Sequence, residues 1–161
     1  MNAKLAPDRF ESLLEQKLET STELLSLLQE EHATLSGNDA SALEQYGQRK
    51  SELVNRLEQL EQESRELVAD KGFEADRGGM EHFIDTLQGE QQERTLAMWR
   101  ELLSVLEENH RQNLVNGVVI ELRQQSVAQV LAAITGQEDN RTYDPKGKTH
   151  SSTAGQSIAK V

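Results

Sequence analysis

The sequence predicts an all-α protein, an elongated antiparallel helical bundle or coiled coil of three long helices and one short one, followed by a flexible carboxyl-terminal tail. Three observations carry this expectation. Two prolines, Pro7 and Pro145, bracket 137 residues that contain none, whereas a sheet protein of this size punctuates its loops with more. Only 35% of the 161 residues are hydrophobic types and 4% aromatic, too few for a compact globule but enough for helices that each bury one stripe. Most directly, leucines recur at alternating spacings of three and four residues along three separate stretches.

The first helix opens near Asp8, which with Glu11 forms a capping-box pattern just after Pro7, and runs to about Leu35. Its seam reads Leu14, Leu18, Ser21, Leu25, Leu28, His32, Leu35, with Phe10, Leu13, Leu24 and Leu27 widening the apolar face. Gly37-Asn38-Asp39 ends it. The second helix begins between Asn38 and Ser41 and ends at Gly72, with Leu43, Tyr46, Lys50, Leu53, Leu57, Leu60, Ser64 and Leu67 as its seam. Lys71 to Gly79 is a loop with three glycines. Met80, Phe83, Ile84 and Leu87 then make a short amphipathic turn or two, a plug for one end of the bundle; Gly89 either separates it from the long helix or lies within one continuous helix.

The long helix covers Leu96 to Ile134, roughly 58 Å at 1.5 Å per residue. Its seam, Leu96, Trp99, Leu103, Leu106, His110, Asn113, Gly117, Ile120, Gln124, Val127, Leu131, Ile134, is apolar at both ends and polar in the middle. Asn113, Asn116 and Gly117 interrupt the apolar face, and two readings stand side by side: close helix approach at Gly117, or a place where the bundle thins and another chain's helix lies. The helix outlasts its predecessors by about ten residues, so an apolar stripe through Ile120, Val127, Leu131 and Ile134 needs a cover: itself, a second copy in a homodimer, or a client. Residues 1–135 form the bundle domain. Residues 136–161 form a segment with Tyr143, Ile158 and Val161 as its large apolar groups, a turn signal at Asp144-Pro145-Lys146-Gly147, and a Ser/Thr/Gly-rich run that is expected to be disordered when free.

Charge and composition exclude several functions. The net charge is −11, and residues 1–135 hold 25 acids against 13 bases. A phosphate backbone or an anionic membrane surface asks for the opposite sign, so nucleic acid is not expected as a partner. No apolar run is long enough to span a bilayer, the first residues lack a signal-peptide core, and cysteine is absent, all compatible with a cytoplasmic protein. No His-x-x-x-His or Glu-x-x-His pair offers metal spacing, no glycine-rich loop follows a strand, and carboxylates are spread over solvated faces without a distinguished pair. No catalytic residue, metal or cofactor is expected. His32, in His-Ala-Thr-Leu-Ser-Gly, resembles a histidine phosphotransfer motif, but the Leu and Gly come one position late and the motif's Lys is missing. A phosphotransfer domain using His32 and a structural coiled-coil dimer without a client are the rival readings.

Residues 10 to 147 resemble the FlgN-type flagellar export chaperones. The resemblance comprises the Leu-rich first helix, the 43–67 heptad helix, Trp99 followed by Asn113-x-x-Asn116-Gly117-x-x-Ile120 in the long helix, and Tyr143-Asp144-x-x-Gly147. It implies a small acidic cytoplasmic chaperone that binds the carboxyl-terminal amphipathic helices of hook-associated proteins, prevents their premature assembly at the hook–filament junction, and delivers them to the flagellar type III export gate, working with components of the export ATPase complex. It further implies a client site on Asn113, Asn116, Gly117, Ile120, Val127, Leu131 and Ile134, and docking of Tyr143 on the export-gate membrane protein.

Overall fold

The computed structural model describes residues 5–37, 39–135, 141–143 and 149–151; Arg123, Gln124 and everything from residue 126 onward are described by backbone alone. Four helices come in order: α1 (Leu5–Thr34), α2 (Ala40–Asp70), α3 (Arg77–Thr86) and α4 (Gly89–Thr135). Two short strands, β1 (Arg141–Tyr143) and β2 (Thr149–Ser151), come after them. The chain falls into two compact units, Met1–Val119 and Ile120–Val161.

Helix ends are set by local chemistry. α1 starts at Leu5, so Pro7 and Asp8 lie within its first turn rather than before it; proline is tolerated there because that N–H has no intrahelical acceptor. α2 is capped by Asp39, whose Oδ1 accepts from the Ala42 N–H at 3.0 Å. Its far end closes in a Schellman turn: Phe73 N–H donates to Val68 O, Gly72 N–H donates to Ala69 O, and Gly72 takes the left-handed φ of +86° that this turn needs. Phe73, just past the turn, packs against the core cluster that contains Val68. α3 begins earlier than the sequence suggests, at Arg77, because Asp76 caps it by accepting from Gly79 N–H at 2.8 Å. It is separate from α4: Leu87 is extended, and Gly89 opens the long helix at φ +60°.

Cross-helix hydrogen bonds fix the arrangement of the first unit. Arg9 pairs with Glu63, Lys17 with Glu61, Arg56 with Gln16 and Lys50 with Glu31, so α2 runs antiparallel to α1. Gln91 pairs with Asp8, Thr95 with Glu11, Asn109 with Ser21 and Asn116 with Glu31, so α4 runs parallel to α1. α1 is the common partner, as a central helix flanked by two others.

The core is divided. At the α3 end, Phe10, Leu14, Val68, Met80, Phe83, Ile84, Trp99 and Leu102 form one buried cluster, the plug expected from Met80, Phe83 and Ile84. Leu24, Leu28 and Leu53 form a second, smaller cluster. Gly79 allows the first to close: a Cβ there would stand 1.7 Å from the Glu74 carbonyl oxygen. Gly79→Ala is therefore expected to destabilise the protein by about 2 kcal/mol through a forced backbone shift. Urea unfolding checks this; an unchanged midpoint would mean the 71–76 loop does not press on α3.

The expected seams hold at Leu14, Ser21, Leu28 and Leu35, at Leu53, Leu60 and Ser64 of α2 and at Trp99 of α4, and elsewhere several of their positions pass to the adjacent residue. α1 buries Phe10, Leu14, Lys17, Ser21, Leu24, Leu28 and Glu31, with Leu35 buried just past its end, and α4 buries Thr95, Trp99, Leu102, Asn109 and Asn116. His110 and Asn113, expected in the α4 seam, are exposed, as is His32. The reason is pairing. Lys17 and Glu31 are buried because Glu61 and Lys50 meet them at 2.7 and 2.9 Å, and Asn109 is buried because its Nδ2 donates to the Ser21 carbonyl at 2.8 Å. The expected absence of strands also gives way. β1 and β2 pair antiparallel, Tyr143 opposite Thr149, so the expected turn signal at Asp144 to Gly147 lies between two strands.

Candidate functional site

α4 carries most of the candidate residues, and its two faces have opposite characters between residues 109 and 118. Toward α1 it presents amides. Asn116, 1% exposed, donates from Nδ2 to the Leu28 carbonyl at 2.8 Å and to Glu31 Oε2 at 2.7 Å. Its Oδ1 accepts from Gln112 Nε2 at 3.0 Å and lies 3.1 Å from His32 Nδ1. Because that oxygen can only accept, the His32 proton facing it sits on Nδ1. Glu31 is completed by Lys50 Nζ. Every polar atom of the Asn116 amide is thus engaged, which is what allows it to be buried. One heptad earlier the Asn109 rung is less complete: Ser21 Oγ and Asn109 Oδ1 are buried without a partner among the described residues.

Away from α1 the same stretch of α4 is apolar and bare. Leu114 is 56% exposed and Val118 55%, with Val115 exposed beside them. Gly117 is exposed, with nothing within 4 Å of where a Cβ would lie, so close helix approach does not account for it. A helix that turns amides to its neighbour and aliphatic side chains to water has an apolar surface left over for something else. The 3-4 hydropathy spacing passes over Leu114 and Val115, because it follows the side of α4 that faces α1.

Most of the sequence-derived candidates fall on α4. Asn113 and Gly117 are exposed there, and Asn116 belongs to the buried network with α1. In the second unit Ile120 is half-buried and Leu122 exposed, while Val127, Leu131 and Ile134 lie on α4 with side chains outside the described residues. Tyr143 is in β1.

A groove in the first unit has no counterpart in the sequence expectations. It holds about 400 Å³ and is lined by residues of all four helices, with Trp99, Leu103 and Leu106 along one side, Leu57 on the other and Lys17 of α1 among them. Glu61 at its edge is held below the usual carboxylate range: burial pushes its pKa up, but hydrogen bonds from Lys17 and Arg65 outweigh that. Among the described residues there is no group of acidic, histidine or cysteine side chains that could hold a metal ion, and no helix long and apolar enough to cross a membrane.

A family model described as FlgN protein matches residues 1–151. No curated protein and no solved structure matches the chain. The family match covers the three long helices, the α3 plug and the strand pair alike, and on that extent the chain belongs to the FlgN family, flagellar export chaperones rather than enzymes.

Proposed function

We propose that this chaperone acts in the cytoplasm, holding the carboxyl-terminal amphipathic helices of hook-associated proteins and delivering them to the export gate. The observation that carries the reading is the bare aliphatic surface of α4 at Leu114, Val115 and Val118, on a chain of a chaperone family. An amphipathic client helix laid there hides its own assembly surface and covers the chaperone's, the helix-in-groove mode of peptide recognition. Leu114, Val115 and Val118 are assigned to the client's apolar face; Asn113, Gly117, Ile120, Val127, Leu131 and Ile134 follow a different line along α4 and are assigned to the client as a second contact, and Asn116 serves it indirectly, by holding α4 to α1. Amides on the α1 side explain why so much aliphatic surface on one helix does not collapse inward.

The test is calorimetry of the full chain with peptides from hook-associated carboxyl termini. Leu114→Asp combined with Val118→Asp is expected to weaken binding more than about tenfold, since a charge in an apolar contact removes a hot spot, and Ile120→Asp combined with Leu131→Asp to weaken it through the second line of contact. Unchanged binding would sink the assignment, and a chain that ignores every such peptide and elutes as a concentration-independent dimer would be a structural coiled coil instead.

Tyr143 we assign to the export-gate membrane protein, with the export ATPase complex as a further partner of the 136–161 segment. Tyr143→Ala is expected to leave client affinity within twofold or so and to reduce gate binding about tenfold, the scale of losing one aromatic anchor. Pull-down of each partner separates the two effects; loss of client binding would move Tyr143 into the client site.

A further inference from the structure

The groove between α2 and α4 has two ends of opposite charge. At the α3 end stand Arg65 and Arg77, each using only its Nε, to Glu61 Oε1 at 2.8 Å and to Glu81 Oε1 at 2.9 Å. Their terminal guanidinium nitrogens make no hydrogen bond among the described residues, and both side chains are about half or more exposed. With Lys17, three cations face the two carboxylates there, a local excess of positive charge in a chain of net charge −11. At the other end, beside Leu57 and Leu106, Glu58 is exposed and has no ion pair among the described residues. Between them the floor is apolar, and Leu106 is 38% exposed.

We infer that this groove receives the last two turns of a partner's amphipathic helix, with the partner's terminal carboxylate bound by Arg65 and Arg77. The inference rests on the chaperone reading and deepens it by naming the part of the client that is recognised. Helix geometry and charge both point this way. Trp99 to Leu106 spans roughly 10 Å, the rise of two helical turns. A helix carries partial positive charge at its amino end and partial negative charge at its carboxyl end, matching Glu58 at one end of the groove and the two arginines at the other. Arg77 and Met80 of α3 line the arginine end, so an inserted helix stops there, and a chain terminus is the natural thing to stop with. Free guanidinium forks bind a carboxylate through paired N–H donors, which an ammonium could not match. A second copy of this chain is disfavoured as occupant by repulsion between two bodies of net charge −11.

Trp99, the sole tryptophan, is buried against the groove with Nε1 donating to Glu81 at 3.3 Å, so it reports occupancy. The experiment titrates the full chain with tryptophan-free peptides from hook-associated carboxyl termini, each made with a free or an amidated terminus, following Trp99 emission and calorimetry. The free acid is expected to shift the emission and to bind about tenfold tighter than the amide, the scale of a charge-assisted contact. Arg65→Gln with Arg77→Gln, checked for fold by circular dichroism, is expected to erase that difference, and Leu106→Glu to weaken both peptides. Equal binding of acid and amide, unchanged Trp99 emission on binding, or emission that varies with the protein's own concentration would each overturn the inference. If peptides bind, and Leu114→Asp with Val118→Asp weakens them while the groove variants do not, the chaperone reading stands and the groove assignment falls. If none binds the unaltered chain, both fall.

Discussion

Phe10→Ala is expected to cost about 3–5 kcal/mol, a large part of the roughly 5–15 kcal/mol that holds a typical domain together. Phe10 has no solvent exposure. Its ring meets Phe83 edge to face at 4.9 Å, and Phe83 in turn meets Phe73 at 5.7 Å. The cluster around these rings draws on every helix: Leu14 from α1, Val68 from α2, Met80 and Ile84 from α3, Trp99 and Leu102 from α4. Among the described residues the second cluster has three buried members. Removing the ring therefore opens a cavity where the four helices are joined, and α3, with ten residues, has little else to hold it. Urea unfolding followed by Trp99 emission measures the loss. Leu5→Ala, at a 62% exposed position on the same helix, is the control and is expected to stay within about 0.5 kcal/mol. Equal effects from the two substitutions would show that the aromatic cluster is not the joint.

The helices are legible in the sequence because their signals are local. Leucine spacing locates α1, α2 and α4, and the Met80, Phe83, Ile84, Leu87 pattern locates the plug, all four of which are buried. Leu14, Ser21, Leu28, Leu53, Leu60 and Trp99 are buried as the spacing predicts, and where a seam is displaced by one residue the reason lies outside the helix that carries it. Hydropathy selects Leu18, Leu103 and Leu106, whereas the chain buries Lys17, Thr95, Asn109 and Asn116, and each of these polar residues is accepted in the interior by a partner from another helix. No periodicity within α4 announces that Glu31 of α1 is waiting for an amide. The same shift explains why hydropathy passes over Leu114 and Val115 and why Leu106, expected in the core, lines a groove. The strand pair is illegible because three-residue strands carry almost no alternation to read; only the turn residues between them, Asp144 to Gly147, stand out.

Asn116→Asp tests the shifted seam with a change of almost no volume, and it is expected to destabilise the protein by about 3 kcal/mol at neutral pH, as loss of a buried hydrogen-bonded partner does. The amide nitrogen donates to Leu28 O and to Glu31 Oε2 at once. A carboxylate in its place offers no donor to either and sets a second negative charge against Glu31, which is 3% exposed and has Lys50 as its one ion-pair partner among the described residues. Two buried carboxylates in contact hold a proton between them, so the new group's folded pKa rises above its unfolded value. Relative to the unaltered chain, the variant is therefore least stable above that raised pKa and recovers as pH falls through it toward the ordinary carboxylate range. Asn113→Asp makes the identical chemical change three residues away, at an exposed position, and is expected to cost less than about 0.5 kcal/mol with no such pH dependence. The pair of variants discriminates between the two seams. A large effect at Asn113 and a small one at Asn116 would restore the hydropathy-derived face of α4 and remove the amide contacts with α1 that define the shifted seam.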